Sequence, residues 1–303
     1  MPPRITLALL THNRPQYLRR LAESLKECGV VRRFAGPIEI LLLDNASNVS
    51  LNDGRKAFER LTKTFPNISF RFLRNERNEG CTRGRQRLAQ EASGDILVFI
   101  DDDCIFRDPN FFTHIDRLFK ELPHLGVLAF PAYEPPTNRV IVAHKKKAYL
   151  RKPAFDTYIF WGSLHAIPRK LFQKVGGYGS EITDRGEEYD LACKVIQAGY
   201  QIHYTSRLFI IHDPATTGRR PTQEVYINQA INRIVVAWKF FPFRFVISQI
   251  LMWSLFVIWK TRRLDNLLSM WQSAWGKIRH VKRTPFRGAA REYLRRVDAR
   301  LWY

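Results

Sequence analysis

Four strand-like runs, residues 5–10, 38–43, 68–73 and 96–100, alternate with segments whose apolar residues recur at helical spacing. The first, second and fourth are almost uninterrupted apolar stretches. A strand wetted on one face would alternate, so these are predicted to be covered on both faces. Between the first two, Tyr17, Leu18, Leu21 and Leu25 follow Pro15, a residue suited to a first helical turn. Residues 52–65 and 80–92 continue the alternation, which predicts an α/β fold with a doubly wound, mostly parallel sheet.

The alternation weakens after residue 105. Residues 109–122 suggest a helix, 127–130 and 139–142 strands, and 168–175 a helix stopped by Gly176-Gly177. A further helix follows Gly186 and ends at Gly199, and 202–211 forms one strand-like stretch ending at His212-Asp213. Residues 213–223 lack periodicity; their Gly218-Arg219-Arg220-Pro221 suits a mobile loop that closes on phosphates. From 235 to 259 the chain turns apolar and aromatic. Its uninterrupted part, 245–259, is shorter than the roughly 20 residues of a spanning helix. A helix lying in the membrane interface is therefore expected, followed by a basic segment interleaved with Trp271, Trp275 and Phe286. The alternatives are a helical hairpin packed on the sheet and an oligomer contact.

Charge adds a partner class. Lys and Arg number 49 against 28 Asp and Glu, a net +21, which points to nucleic acid, an anionic membrane surface or phosphorylated substrates. Residues 260–303 carry 12 basic and 3 acidic residues, so +9 of that excess lies in the tail. The four cysteines form no CxxC pair and no metal-like spacing, which suits reduced thiols in a cytoplasmic protein. The N-terminal apolar run is too short for a signal peptide.

Candidate chemistry gathers at the strand ends. Asp101, Asp102 and Asp103 close the fourth run, where an open parallel sheet forms its ligand crevice. Such close carboxylates need a cation or donors, and hard oxygen ligands suit Mg²⁺ or Mn²⁺. Thr11, Asn13, Asp44 and Asn45 end earlier strands and offer small polar groups to a base and ribose, with Arg83, Arg85 and Arg87 adding positive charge. There is no Walker-type phosphate loop. Glu187 and Glu188 open the helix after Gly186. They complement its dipole, and one of them is a candidate general base because a neighbouring like charge raises a carboxylate pKa.

In this order, Thr11-His12-Asn13-Arg14, Leu43-Asp44-Asn45, Arg77-Asn78-Glu79-Gly80, Asp101-Asp102-Asp103, Gly176-Gly177-Tyr178, Gly186-Glu187-Glu188-Tyr189-Asp190-Leu191 and His212 resemble a family 2 glycosyltransferase with the GT-A fold. The resemblance implies a GT-A domain over 1–223, with a nucleotide-binding half (1–105) and an acceptor half (106–223). Residues 224–303 would form a helical, membrane-associating extension. It places Thr11, Asn13, Arg14, Asp44, Asn45, Asn78, Gly80, Arg85, Asp101 and Asp102 at the donor, with Asp101 toward the ribose. Asp103 would ligate Mg²⁺ or Mn²⁺, with His212 as a further ligand. Glu188 would be the base, Glu187 would hydrogen-bond the acceptor, and Trp161-Gly162 would form the acceptor platform. Two departures are visible: Glu188 stands where an Asp is common, and Gln86 where an Asn is common. The implied activity is inverting transfer from a nucleotide-diphosphate sugar to a lipid-linked or cell-envelope glycan. It would take place on the cytoplasmic face of the cell membrane, with no nucleic-acid partner. The competing readings are an inactive GT-A-like scaffold and a basic nucleic-acid-binding protein.

Overall fold

The computed structural model describes residues 2–144, 146–183, 185–214 and 222–301. The expected strands and helices begin the chain, with one short helix, α2, that the sequence reading did not give: β1 (Ile5–Thr11), α1 (Pro15–Glu27), α2 (Val30–Arg33), β2 (Ile38–Asp44), α3 (Asn52–Thr64), β3 (Ile68–Arg74), α4 (Gly80–Glu91) and β4 (Ile96–Asp101). Then come β5 (Cys104–Phe106), α5 (Phe111–Glu121), β6 (Leu125–Ala129), β7 (Ala132–Glu134), β8 (Arg139–Ile141), β9 (Ala154–Thr157), β10 (Leu164–Pro168), α6 (Arg169–Lys174), α7 (Glu187–Gln197), β11 (Gln201–Thr205) and β12 (Ile210–His212). The C-terminal part is helical: α8 (Thr222–Phe240), α9 (Phe243–Thr261), α10 (Leu264–Ile278) and α11 (Gly288–Arg296).

The main sheet runs β3-β2-β1-β4-β10-β6-β11-β9. Its first four strands are parallel, while β10 runs antiparallel to both β4 and β6, so the sheet is mixed. Every residue of β2 is buried, as its unbroken apolar run requires, whereas β3 at the edge alternates with exposed positions. One face is covered by α1, α3 and α5 through Leu18, Leu21, Phe58, Leu61, Phe112 and Ile115. The other is covered by α4, α6 and α7 through Leu88, Leu171, Leu191 and Val195, and the same core continues into Ile231, Val235, Phe241 and Tyr293 of the C-terminal helices.

Three sequence expectations change. The stretch 202–211 is two strands in two sheets: β11 joins the main sheet, while β12 pairs with β5 and β7 in a small sheet ordered β5-β12-β7-β8. The turn at Ser206-Arg207 separates them. The apolar segment 235–259 is interrupted at Pro242 as its sequence implies, because proline has no N–H to continue α8, but the helix after it, α9, runs 19 residues and so exceeds the uninterrupted 245–259. Phe286, expected among interfacial aromatics, is buried against Phe240 and Phe241. The proposed phosphate-closing residues Gly218, Arg219, Arg220 and Pro221 lie outside the described residues.

Candidate active site

The small sheet begins immediately after Asp103, and its register builds the site. Pairing of His212 with Cys104 sets the imidazole beside the β4–β5 turn, and the Asp213 N–H donates to the Asp103 carbonyl at 2.9 Å. Single ligand atoms of Asp101, Asp103 and His212 lie within 4.8 Å of one another. His212 Nε2 stands 3.3 Å from Asp103 Oδ1, and Nδ1 stands 3.0 Å from Glu134 Oε1. Burial opposes a charge on this imidazole. The hydrogen bond and charge of Asp103, with Asp101 and Glu134, outweigh it and push the pKa up to about 9. Two carboxylates and one imidazole fit a divalent cation that accepts oxygen and nitrogen ligands, with Glu134 orienting the histidine from outside.

The acidic triplet divides its work. Asp102 is 1% exposed, accepting from Thr11 Oγ1 at 2.6 Å and from Arg14 Nη1 at 2.9 Å. Burial, with the charge of Asp103, pushes it up to about 7 against the pull of Arg14. Thr11, Arg14 and Asp102 are thus tied to one another, fastening β1 to the β4 end. Asp101 instead accepts from Arg85 Nη2 at 2.7 Å.

Arg85 also donates through Nη1 to Glu187 Oε1 at 2.7 Å, with both side chains almost fully buried. One guanidinium therefore joins the carboxylate at the end of β4 to the acid pair that opens α7. Gly162 is required beside it, since a Cβ there would collide with Arg85 Nη1 and sit 3.3 Å from Glu187 Oε1. Glu187 Oε2 is buried with no hydrogen-bond partner among the described residues, and burial together with the charge of Glu188 raises this carboxyl. Glu188, in the same turn, is half-buried. Next to Trp161-Gly162, His165 lies between the Trp161 carbonyl (3.2 Å from Nδ1) and the Tyr178 hydroxyl (3.3 Å from Nε2). Because the carbonyl only accepts, Nδ1 carries the proton. Burial, helped by Arg85, pushes this imidazole down to about 3. Trp161 itself is largely exposed.

A third group forms at the ends of β1, β2 and β3. The Asn45 amide donates to Asn78 Oδ1 at 2.8 Å and to the Gly80 carbonyl, and accepts from Asn75 at 2.7 Å and the Glu79 N–H at 3.0 Å. Asp44 is buried against Arg74 and accepts the Ser47 N–H at 2.8 Å. Asn13, with φ 58°, takes the left-handed conformation that asparagine tolerates and accepts the Asn48 N–H at 2.7 Å. Gln86 accepts the Tyr178 N–H at 2.9 Å, tying α4 to the Gly176-Gly177 turn.

The family model "Glycosyl transferase family 2" matches residues 6–176, more than half of the chain. The chain belongs to this family. Among similar proteins, the O-antigen chain rhamnosyltransferase WbaN of Salmonella anatum is 28% identical over 204 residues, covering 63% of this chain and 61% of that protein. The O-antigen chain rhamnosyltransferase RfbN of Salmonella typhimurium is 24% identical over 237 residues, covering 74% and 70% respectively. Among solved structures, the mannosyltransferase PcManGT of Pyrobaculum calidifontis with GDP-Man and Mn²⁺ superposes with a TM-score of 0.59 at 16% identity, over 98% of this chain and 79% of that one. GalNAc-T7 with UDP, GalNAc and Mn²⁺ gives 0.58 at 17%, over 78% and 48%. These neighbours share the GT-A fold.

Within this family-2 chain, the structure brings Asp101, Asp103, His212, Arg85, Glu187 and Gly162 together. Thr11, Arg14 and Asp102 form a second group, and Asn13, Asp44, Asn45, Asn78 and Gly80 a third. Sequence reasoning missed Glu134, His165, Arg74 and Asn75. Glu134 gave no signal because only the pairing of Ile211 with Tyr133 brings it to His212.

Proposed function

We propose that the protein is an inverting, metal-dependent glycosyltransferase that moves a sugar from a nucleotide-diphosphate donor to a hydroxyl of a lipid-linked or cell-envelope glycan. The observation that carries this reading is the cluster of Asp101, Asp103 and His212, linked through Arg85 to the acid pair of α7. The printed names of the relatives, O-antigen rhamnosyltransferases, support the acceptor class. Asp103 and His212, with Asp101, would hold Mg²⁺ or Mn²⁺, which when bound supplies charge stabilisation to the departing diphosphate. The strand-end polar groups around Asp44 and Asn45 hold the nucleotide side. Glu188 accepts the proton of the attacking hydroxyl, and Glu187, fixed by Arg85, orients that hydroxyl through Oε2. Trp161 and Gly162 face the acceptor sugar.

The same proposal places the protein at the cytoplasmic face of an anionic membrane. α9 is inside out for a water-facing helix. Its buried side holds Gln249, Ser254 and Thr261, while Phe243, Ile247, Leu251, Leu255 and Trp259 form a stripe at every fourth residue, each at least 47% exposed. Leu264, Leu268, Trp271 and Trp275 continue this face on α10, and Lys260, Arg262 and Arg263 lie where the two helices meet. Among the described residues, α9 alone is long and apolar enough to cross a membrane. Its packing on α8 through Phe245, Val246 and Val257 favours lying in the interface plane.

The test is a thermal-shift screen with Mn²⁺ and UDP-, GDP- or dTDP-sugars. One donor class should raise the melting temperature in the wild type, by about 3 kcal/mol of linkage at a hundredfold excess over Kd. Asp103→Asn should abolish the metal-dependent part. No response to any donor would refute the proposal.

A further inference from the structure

The acid pair is carried by an unusual turn. Arg185 (φ 71°) and Gly186 (φ 94°) are consecutive left-handed residues at the start of α7. Glycine adopts this conformation freely, but an arginine keeps it only where the surroundings impose it. The surroundings here come from the C-terminal helices rather than from the sheet. Asn232 of α8, 1% exposed, donates from Nδ2 to the carbonyls of Thr183 and Arg185, each at 2.7 Å. Its Oδ1 accepts from Lys277 Nζ of α10 at 3.1 Å, and that ammonium also reaches Thr183 Oγ1 at 3.2 Å. The approach is close enough that a Cβ on Gly186 would lie 3.5 Å from the Asn232 Cβ.

Two further contacts hold the next turn of α7 to α8. The Arg233 guanidinium lies 3.9 Å over the Tyr189 ring, and Lys239 pairs with both Asp190 and Glu181. Tyr189 and Asp190 in turn donate their N–H groups to the Gly186 carbonyl at 3.1 and 3.0 Å. The path from α10 to the acid pair thus runs by hydrogen bonds from Lys277 through Asn232 to the Thr183 and Arg185 carbonyls, then along the main chain through Gly186 to Glu187 and Glu188.

We infer that Asn232 and Lys277 are positioning residues for the transfer reaction, clamping Thr183 and the Arg185-Gly186 turn so that Glu187 meets Arg85 and Glu188 reaches the acceptor. This rests on the proposal that the acid pair serves the acceptor. A main-chain shift near 1 Å at this turn would move both carboxylates, and displacements of that size cost about 100-fold in rate. The helical extension is then part of the active site and cannot be removed to leave a working domain.

The test uses the full-length chain with Asn232→Ala, Lys277→Met and Lys277→Arg. Hydrogen–deuterium exchange is read at residues 187–190, Mn²⁺-dependent UDP binding serves as the donor-side control, and hydrolysis of the sugar nucleotide selected by the thermal-shift screen reports turnover. The expected result is exchange about tenfold faster at 187–190 in Asn232→Ala and Lys277→Met, without a matching rise in the β1, β2 and β4 amides. UDP binding should stay within about twofold, and kcat should fall about 10- to 100-fold with little change in donor KM. Lys277→Arg should restore most of both. Unchanged exchange at 187–190 in folded Asn232→Ala and Lys277→Met overturns the inference, and so does a uniform rise across the chain, which marks a merely structural role. Should UDP and Mn²⁺ bind to none of the proteins, the donor-site reading fails while the exchange arm still decides the clamp.

Discussion

Replacing Arg85 by methionine removes the guanidinium that pairs with both Asp101 and Glu187 and leaves an apolar side chain of similar reach. Arg85 is 8% and Glu187 5% exposed, and each bond to the guanidinium is 2.7 Å long. Breaking a buried ion pair by deleting one partner costs about 3–5 kcal/mol, a large part of a total stability of roughly 5–15 kcal/mol. The loss also depends on pH in a definite direction. In the wild type, burial and Glu188 raise the Glu187 carboxyl while Arg85 lowers it. The variant loses the Arg85 charge, so the raising influences gain and the carboxyl moves further up. Between about 4.5, the ordinary value, and the raised folded value, the folded state holds a proton that the unfolded state lacks. The wild-type carboxyl is already pushed up to about 7, so below that both folded states hold the proton and the deficit stays level; above it only the variant keeps the proton, and the deficit should grow with pH by up to about 1.4 kcal/mol per unit. Urea unfolding followed by circular dichroism at pH 5.5, 6.5, 7.5 and 8.5 measures it. Arg85→Lys should recover only part of the loss, because a point charge cannot serve two carboxylates as the planar fork does. A deficit below about 1 kcal/mol at pH 8.5, or one that does not vary with pH, would refute this account of the Arg85 bridge.

Metal binding should also depend on pH. His212 holds its proton up to about 9 in the metal-free protein, where it bridges Asp103 and Glu134, and it must lose that proton to ligate. Mn²⁺ affinity measured by calorimetry should rise about tenfold per unit from pH 6.5 to 8, and His212→Gln should flatten the slope. The raised pKa also stabilises the metal-free fold below the ordinary value of 6.5, a contribution lost as pH rises through about 9. At the apolar face, Leu251→Ser, Leu255→Ser and Trp275→Ser together should reduce sedimentation with phosphatidylglycerol vesicles at least tenfold without lowering the melting temperature, since these side chains are exposed. Undiminished sedimentation would move the membrane contact elsewhere.

Strands β1, β2 and β4 were legible because burial on both faces writes itself as an unbroken apolar run. β10 was not: Leu164–Pro168 is five residues long, contains His165 and Pro168, and is a strand only because β4 and β6 flank it. The stretch 202–211 is apolar at both ends, and nothing local says that its halves enter different sheets. The site followed the same rule. Carboxylates clustered along the chain, Asp101–Asp103 and Glu187–Glu188, stood out, whereas Glu134 is a lone acid before Pro135 whose meaning comes from strand register. Within Asp101-Asp102-Asp103 the resemblance separates Asp101 from Asp103, but the tie of Asp102 was invisible, since it depends on Thr11 and Arg14, about 90 residues away.

The extension shows why composition alone misjudges a segment. Residues 235–259 are apolar throughout most of their length, yet α8 is buried in the core that continues from the sheet, while α9 buries Gln249, Ser254 and Thr261 beside Phe245, Val246 and Val257 and leaves Phe243, Ile247, Leu251, Leu255 and Trp259 exposed. α11 then returns, and the Tyr293 hydroxyl bonds to the backbone of Thr157 and Ile202, at the pairing of β9 with β11. Deleting residues 260–303 to test membrane binding would remove Lys277 and the buried Phe286, Tyr293 and Leu294, and so confound surface docking with loss of core. Substitutions on the exposed stripe separate the two effects. The exposed face of α10 and the Lys277 contacts to Thr183 Oγ1 and Asn232 Oδ1 belong to one helix, so those substitutions must leave position 277 intact to report on docking alone.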